Sequence, residues 1–257
     1  MSSTVSRSFQ AHVHQIEQTP SGVLFVWLKP DDGFDHIHRA GQYLSLTMNG
    51  EPSFFSIASM PVANSLIELH IQALDEAKTE FLLNAFTNKT QVTIGYPYGI
   101  VDWPADKPEG IFICRNTGFA PVKALIDTAL SRNTDRPVHL YWEGDFIKDL
   151  YFEKWLSTAL KDHPHFQAHL FFALEDTIDT SSFAIQNSQC QVKIGSLHQV
   201  IEQGTMDLNS KASWYYLCGS PQRVYHWVDC LEAKGLSIDA MASDVFEYAP
   251  RGESYYS

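Results

Sequence analysis

The feature that most constrains how this chain can fold is a change of hydrophobic period near residue 105. Before it, short strand-forming stretches alternate with turn clusters. Val23-Leu24-Phe25-Val26-Trp27-Leu28 runs into Lys29-Pro30-Asp31-Asp32-Gly33, and Tyr43–Met48 is followed by the hairpin dipeptide Asn49-Gly50. Residues 66–71 are mostly apolar, interrupted at Glu68 and His70, as in a largely buried strand. One helical stretch is predicted, over 77–85. Many short strands at this spacing predict a small antiparallel barrel. Beyond the junction the runs become wholly apolar, beginning with Ile111-Phe112-Ile113-Cys114, as in strands buried on both faces. Strands at 138–142, 166–172 and 214–218 alternate with helices at 120–130, 150–159, 196–203 and 221–234. That alternation predicts a parallel sheet covered by helices on both faces. The junction Pro104-Ala105-Asp106-Lys107-Pro108-Glu109-Gly110 reads as a linker, which predicts domains at 1–104 and 105–257.

Composition narrows the functional classes. A net charge of −12 argues against a nucleic-acid surface and against attraction to anionic lipid. No apolar run reaches the length of a membrane span, and residues 1–10 are polar without an apolar signal region. A cytoplasmic location is the resulting expectation. The four cysteines, Cys114, Cys190, Cys218 and Cys230, lack C-x-x-C spacing, and three sit in apolar segments, so reduced thiols and no metal centre are expected. His36-Ile37-His38 is read as a solvated edge before the next strand rather than as a metal pair.

The most informative local phrase is Tyr216-Leu217-Cys218-Gly219-Ser220-Pro221. It reads as a buried strand ending in Cys-Gly, a turn, and a helix starting at Pro221. Helix N-termini that follow parallel strands commonly face a ligand crevice.

Matching phrases lie upstream in order. Arg39-Ala40-Gly41-Gln42-Tyr43-Leu44 resembles an "aGQy" strand opening, Phe55-Ser56-Ile57-Ala58-Ser59 the end of R-x-[YF]-S-[IM]-A-S, and Tyr96-Pro97-Tyr98-Gly99 a G-P-x-G turn. Thr117-Gly118-Phe119-Ala120-Pro121 resembles G-G-T-G-x-[AS]-P, Cys218-Gly219-Ser220-Pro221 resembles C-G-x-P, and Asp244-Val245-Phe246-Glu247-Tyr248 a C-terminal D-x-F-x-[YF]. Together they resemble the ferredoxin–NADP reductase superfamily over most of the chain. With Tyr141-Trp142, Leu150-Tyr151 and the short length, the chain is most similar to bacterial NAD(P)H:flavin reductases, with no fused ferredoxin domain expected.

The resemblance implies an oxidoreductase whose β-barrel is an FAD-binding FR-type domain and whose α/β domain binds NAD(P). Hydride would pass from NADH or NADPH to riboflavin, FMN or FAD. Ser56 would hydrogen-bond near flavin N5, and Phe55 would pack on the flavin; a strand hydroxyl and a barrel-core ring are the alternatives. Backbone groups of His70 and Ile71 would border the flavin, with His70 alternatively an outward strand residue. Thr117 and Gly118 would open a helix facing pyrophosphate, and Gly219 would admit the nicotinamide. Cys218 would sit near nicotinamide C4 as a soft thiol, core packing being its alternative. Asp244, Phe246 and Tyr248 would close the site, and residues 251–257 would be disordered.

Departures from the family pattern fall at polar positions. Ser53 replaces an Arg, which removes a bidentate anion contact and weakens FAD or FMN more than riboflavin. Arg115 and Asn116 replace two glycines, with Arg115 a possible new cation for pyrophosphate. Asp145 replaces an Arg; at roughly 4 Å and an effective dielectric of about 20, like charges cost on the order of 4 kcal/mol, which disfavours NADPH. A non-catalytic flavin- or partner-binding relative and an electron-transfer subunit with a protein partner are therefore the alternatives to a flavin reductase.

Overall fold

A computed structural model of the chain describes residues 7–31, 38–48, 51–63, 65–72, 76–88, 91–99, 101, 103–132, 135–174, 185, 187–204 and 212–252. The chain divides into two compact units, residues 1–101 with 120–128, and residues 102–119 with 129–257.

The first unit is built on an antiparallel sheet of β1 (Arg7–Gln18), β2 (Leu24–Pro30), β3 (Tyr43–Met48), β4 (Glu51–Ser56), β5 (Ile67–Ile71) and β6 (Gln91–Tyr98), in the order β4-β3-β6-β1-β2-β5. Its two edges meet. Ile57, just past β4, bridges Leu69 of β5, and the Ala58 amide donates to the Glu68 carbonyl at 2.8 Å. Closure removes the exposed edges and makes the predicted barrel. Alternation buries Leu24, Val26 and Leu28 of β2 against Leu44, Leu46, Leu69 and Ile94. Helix α1 (Glu76–Asn88) adds Leu82 and Phe86, four residues apart on one face. Met48 faces Glu51 across the connection 49–50, which lies outside the described residues. Strand β1 was not legible as a strand because few of its side chains are apolar and only Ala11 is fully buried, yet it pairs with both β2 and β6.

The second unit carries a parallel sheet of β7 (Gly110–Arg115), β8 (Val138–Gly144), β9 (Phe166–Phe172), β10 (Cys190–Ile194), β11 (Trp214–Cys218) and β12 (Met241–Ala242), in the order β10-β9-β8-β7-β11-β12. The helices are α2 (Phe119–Ser131, of which residues 120–128 belong to the first unit), α3 (Glu153–Asp162), α4 (Leu197–Gln203), α5 (Pro221–Ala233) and α6 (Val245–Tyr248). Strand β10 lies in a stretch that reads as merely polar. It is an edge strand with half or more of its side chains in solvent, so it carries no apolar run. Helix α3 starts at Glu153 rather than at 150, because a 3₁₀ turn over Ile147–Asp149 comes first, with Asp149 Oδ2 accepting from the Phe146 amide at 2.8 Å. Helices α4 and α5 start where the sequence places them, since Ser196 and Ser220 cap them and Pro221 occupies the first turn of α5.

The junction expected to be a linker is held in place. The Arg136 guanidinium lies 3.8 Å above the Trp103 ring and donates to the Pro104 carbonyl at 2.9 Å and to that of Lys107. Trp103 stacks on Trp214 with 6.1 Å between ring centroids. Near the C-terminus, Arg251 is not loose: it pairs with Glu232 at 2.9 Å and with Asp229, both on α5, while 253–257 lie outside the described residues. Among the described residues no helix is long and apolar enough to cross a membrane.

Leu69 is fully buried beside the closing bridge. Leu69→Ala is therefore expected to cost about 2–5 kcal/mol in urea unfolding, the usual range for a truncated core leucine.

Candidate functional site

In the second unit the parallel register sets the site. Cys114 of β7 faces Cys218 of β11, and Arg115 faces Glu143 of β8, so the carboxyl ends of three neighbouring strands lie side by side. Crevices at such strand ends are where open α/β sheets bind ligands. After β7 the chain makes a 3₁₀ turn over Asn116–Gly118 and enters α2. Asn116 has φ 49°, a left-handed conformation that Asn tolerates better than most residues, so the turn forms without a glycine there. Gly118 cannot be replaced so easily: a Cβ on it would lie 2.7 Å from the Cys218 carbonyl oxygen. The two predicted loops thus meet backbone to backbone. No side chain caps the N-terminus of α2; the 3₁₀ turn runs directly into it, with the Phe119 amide donating to the Asn116 and Thr117 carbonyls. A Cβ on Gly219 would meet its neighbours at ordinary contact distances of 3.8–4.0 Å.

Arg115 is not the free cation that the sequence allowed. Its Nη2 donates to Asp145 Oδ1 at 2.5 Å, and its Nη1 donates to Glu143 Oε1. Glu143 is almost wholly buried, and its other oxygen accepts from the Leu197 amide at 2.7 Å, at the start of α4. Two departures from the family pattern, Arg115 and Asp145, therefore neutralise each other, and Glu143 adds a further negative charge.

Cys218 is buried at the end of β11, and its thiol faces Asp244 Oδ1 at 3.9 Å. Burial, then the Asp244 carboxylate, push the thiol well above the ordinary cysteine range, so it stays protonated and is not a nucleophile. Phe246 stacks on Tyr225 of α5 at 5.8 Å and packs on the core of this unit, whereas Tyr248 is 54% exposed. Of the two aromatics predicted to close the site, Tyr248 is the one with a ring surface to offer.

In the first unit Ser56 ends β4 opposite Tyr43, and Phe55 lies half-buried on the barrel core. Phe54 is 57% exposed and meets a stacked pair, Tyr43 and Tyr98, edge-on at 6.0 and 5.6 Å. The sequence reading passed over Phe54, although an aromatic beside Phe55 in an alternating strand must point to the other face. Ile71 is buried on β5. His70 is not an outward residue: its ring is buried, 4.7 Å from Phe25, and its Nε2 donates to Glu68 Oε1 at 2.8 Å. Burial keeps this imidazole neutral. Glu68 also accepts from Lys123 Nζ at 3.2 Å, and Lys123 reaches Asp127 at 3.1 Å. Burial opposes ionisation of Glu68, but the His70 hydrogen bond and the Lys123 charge hold its carboxyl down at about 2. His38 is buried, with its Nε2 2.8 Å from the Ser59 carbonyl, while His36 and Ile37 lie outside the described residues. All four cysteines are free thiols, Cys114 and Cys218 buried, Cys190 and Cys230 half-buried, so two rather than three are core thiols.

Residues 112–227 match the oxidoreductase NAD-binding domain family. A probable flavin reductase of Photobacterium leiognathi is 28% identical over 93% of this chain and 99% of its own length. The ferredoxin–NAD(P)(+) reductase component of the Pseudomonas putida naphthalene 1,2-dioxygenase system is 28% identical over 80% of this chain, which spans 60% of that protein. Among solved structures, Amycolatopsis cytochrome P450 reductase GcoB superposes with a TM-score of 0.78 at 22% identity, over 93% of this chain and 69% of that one. A Neisseria gonorrhoeae ferredoxin NADP+ reductase does so with a TM-score of 0.72 at 14% identity, over 93% of this chain and 98% of that one.

Two outcomes are expected. Gly118→Ala should destabilise the protein by about 1–3 kcal/mol, because the Cys218 backbone has to move. Glu68 has a depressed folded-state pKa, so the stability it contributes is present above its ordinary value of 4.5 and is lost as pH falls toward about 2. Glu68→Gln should flatten that part of the stability–pH curve, a change on the order of 3 kcal/mol at most, measured by denaturant unfolding across the window.

Proposed function

We propose that the chain is a member of the ferredoxin–NADP reductase superfamily and an NAD(P)H-dependent oxidoreductase that reduces a flavin, a reading supported by its family-model match and its flavin reductase relatives. The observation that carries this reading is the close approach of the turn Asn116–Gly118, which leads into α2, to the Cys218 carbonyl at the end of β11, with Gly219 beside it. That arrangement fits a dinucleotide pyrophosphate with the nicotinamide beside Cys218. When bound, the two cofactors supply the hydride chemistry, and the protein supplies position and surroundings.

Residues 1–104 take the flavin and 105–257 the nicotinamide. Ser56 donates a hydrogen bond at flavin N5, Phe55 supports the ring, and the His70 and Ile71 backbone borders it. Thr117, Gly118 and Gly219 receive the dinucleotide. Cys218 packs beside the nicotinamide as a protonated thiol whose Sγ–H points to Asp244, and Tyr248 covers the site, while Phe246 holds α6 to α5 through Tyr225. Ser53 offers no cation for phosphate, while Phe54, Tyr43 and Tyr98 offer aromatic surface, which favours riboflavin over FMN or FAD. Arg115 is neutralised by Glu143 and Asp145, which favours NADH over NADPH with its extra phosphate.

The second reading is electron transfer to a protein partner, favoured by relatives that are reductase components of dioxygenase systems. Oxidation of NADH and NADPH by the purified protein with riboflavin, FMN and FAD in turn separates the two. Turnover that depends on added flavin supports the flavin reductase. A tightly bound flavin that is reduced without passing electrons to free flavin supports the protein acceptor.

Under the flavin reductase reading, kcat/KM for NADH should exceed that for NADPH at least about 10-fold, a difference of roughly 1.4 kcal/mol; equal values would remove Asp145 from the specificity. Ser56→Ala should lower flavin reduction about 10-fold or more with unchanged melting, as loss of one well-placed hydrogen bond does. Unchanged turnover would take Ser56 out of the mechanism.

A further inference from the structure

Helices α4 and α5 each carry a pair of metal-binding side chains four residues apart, and the two pairs converge. His198 and Glu202 lie on α4, His226 and Cys230 on α5. Residues four apart share a helix face, so each pair can act on one point. The ligand atoms of His198, His226 and Cys230 all lie within 4.8 Å of one another. His198 Nε2 is 2.6 Å from His226 Nε2, His226 Nε2 is 3.8 Å from Cys230 Sγ, and Glu202 Oε2 is 3.7 Å from His198 Nε2. We propose that these side chains form a zinc-binding site that staples α4 to α5, with His198, His226 and Cys230 as ligands and Glu202 as the fourth.

Tetrahedral zinc holds nitrogen at about 2.0–2.1 Å and sulfur at about 2.3 Å, so its ligand atoms stand roughly 3.3–3.7 Å apart. The sulfur–nitrogen and oxygen–nitrogen separations are close to this range already. The two imidazoles have to part by less than about 1 Å, and the exposed Glu202 carboxylate has to swing toward His226 and Cys230 to complete the set. The two Nε2 atoms lie within hydrogen-bond distance of each other, and a cation would take the place of that contact.

The ligand chemistry selects the metal. Imidazole and thiolate suit zinc and are poor partners for magnesium or calcium, which take oxygen. Two neutral histidines, one thiolate and one carboxylate also balance a divalent charge. An apolar seam of Leu197, Ile201, Val224 and Val228 packs the helices together beneath the polar groups. At the ends of the helices, Lys234 Nζ donates to the Glu202 carbonyl at 3.0 Å. The charges facing the cluster are Glu202 and Glu143, which favour a cation, and Arg223 and Lys234, which oppose one.

The site is independent of flavin reduction, and its test needs no turnover. The full chain, stripped with a chelator, is titrated with Co2+ as a spectroscopic probe and then with Zn2+ in competition with a chromophoric chelator. One equivalent of Co2+ should give a thiolate charge-transfer band with tetrahedral d–d absorption, displaced by Zn2+, and Zn2+ should raise the melting temperature. Cys230→Ser should abolish the charge-transfer band. Both Cys230→Ser and His226→Ala should weaken zinc about 100-fold or more, beyond the roughly 10–100-fold lost with outer partners of a metal site. A six-coordinate cobalt spectrum without the sulfur band, or zinc affinity unchanged in the soluble Cys230→Ser variant, would overturn the proposal. Should His226→Ala not fold, the wild-type cobalt spectrum and Cys230→Ser decide it alone.

Discussion

The parallel pairing of β7 with β11 is the interaction on which the rest of the second unit depends. Both strands are almost wholly buried, and their register sets Cys114 opposite Cys218. Because both run the same way, the turn that opens α2 and the turn that opens α5 emerge at one edge. The Gly118 backbone then rests on the Cys218 carbonyl, so the place where a dinucleotide would bind follows directly from strand register. Shift either strand by one residue and Gly118 loses its seat; shift β7 and Arg115 loses Glu143 of β8 as well.

Charge at that edge is balanced locally. Arg115, taken alone, reads as a phosphate cation, and Asp145, taken alone, reads as a phosphate repellent. In the fold they are partners, with Glu143 as the third member and the α4 amide at Leu197 as its second anchor. A buried carboxylate of this kind is tolerated only because each oxygen has a donor. Glu68 follows the same logic in the barrel unit, where His70 and Lys123 supply its donors.

How much of this was legible depends on the kind of signal. Trp214–Cys218, buried on both faces, could be read to the residue because every side chain is apolar or aromatic, and Phe166–Phe172 because its apolar and aromatic residues dominate despite the exposed Gln167. Helix starts with a Ser cap and Pro were equally plain. Strands β1 and β10 were not. One is long, amphipathic and rich in His and Gln, and the other lies at a sheet edge; neither concentrates apolar residues. Of the site residues, Ser56, Thr117, Gly118, Cys218 and Gly219 were visible as phrases. Phe54, Glu68 and Lys123 were not, since their significance lies in partners on other elements.

The amino-acid sequence by itself determined the strands and helices with a strong apolar pattern or a clear cap, the change of hydrophobic period near residue 105, and which turns carry glycine or proline. Those are local matters, set by hydrophobic period, capping and backbone freedom. Only the tertiary structure decided that Arg115 meets Asp145, that His70 turns inward to Glu68, and that His198 meets His226. Each of these joins residues whose separation along the chain says nothing of their distance. Register and helix rotation bring them together, and both are fixed by how the whole core closes rather than by any one segment.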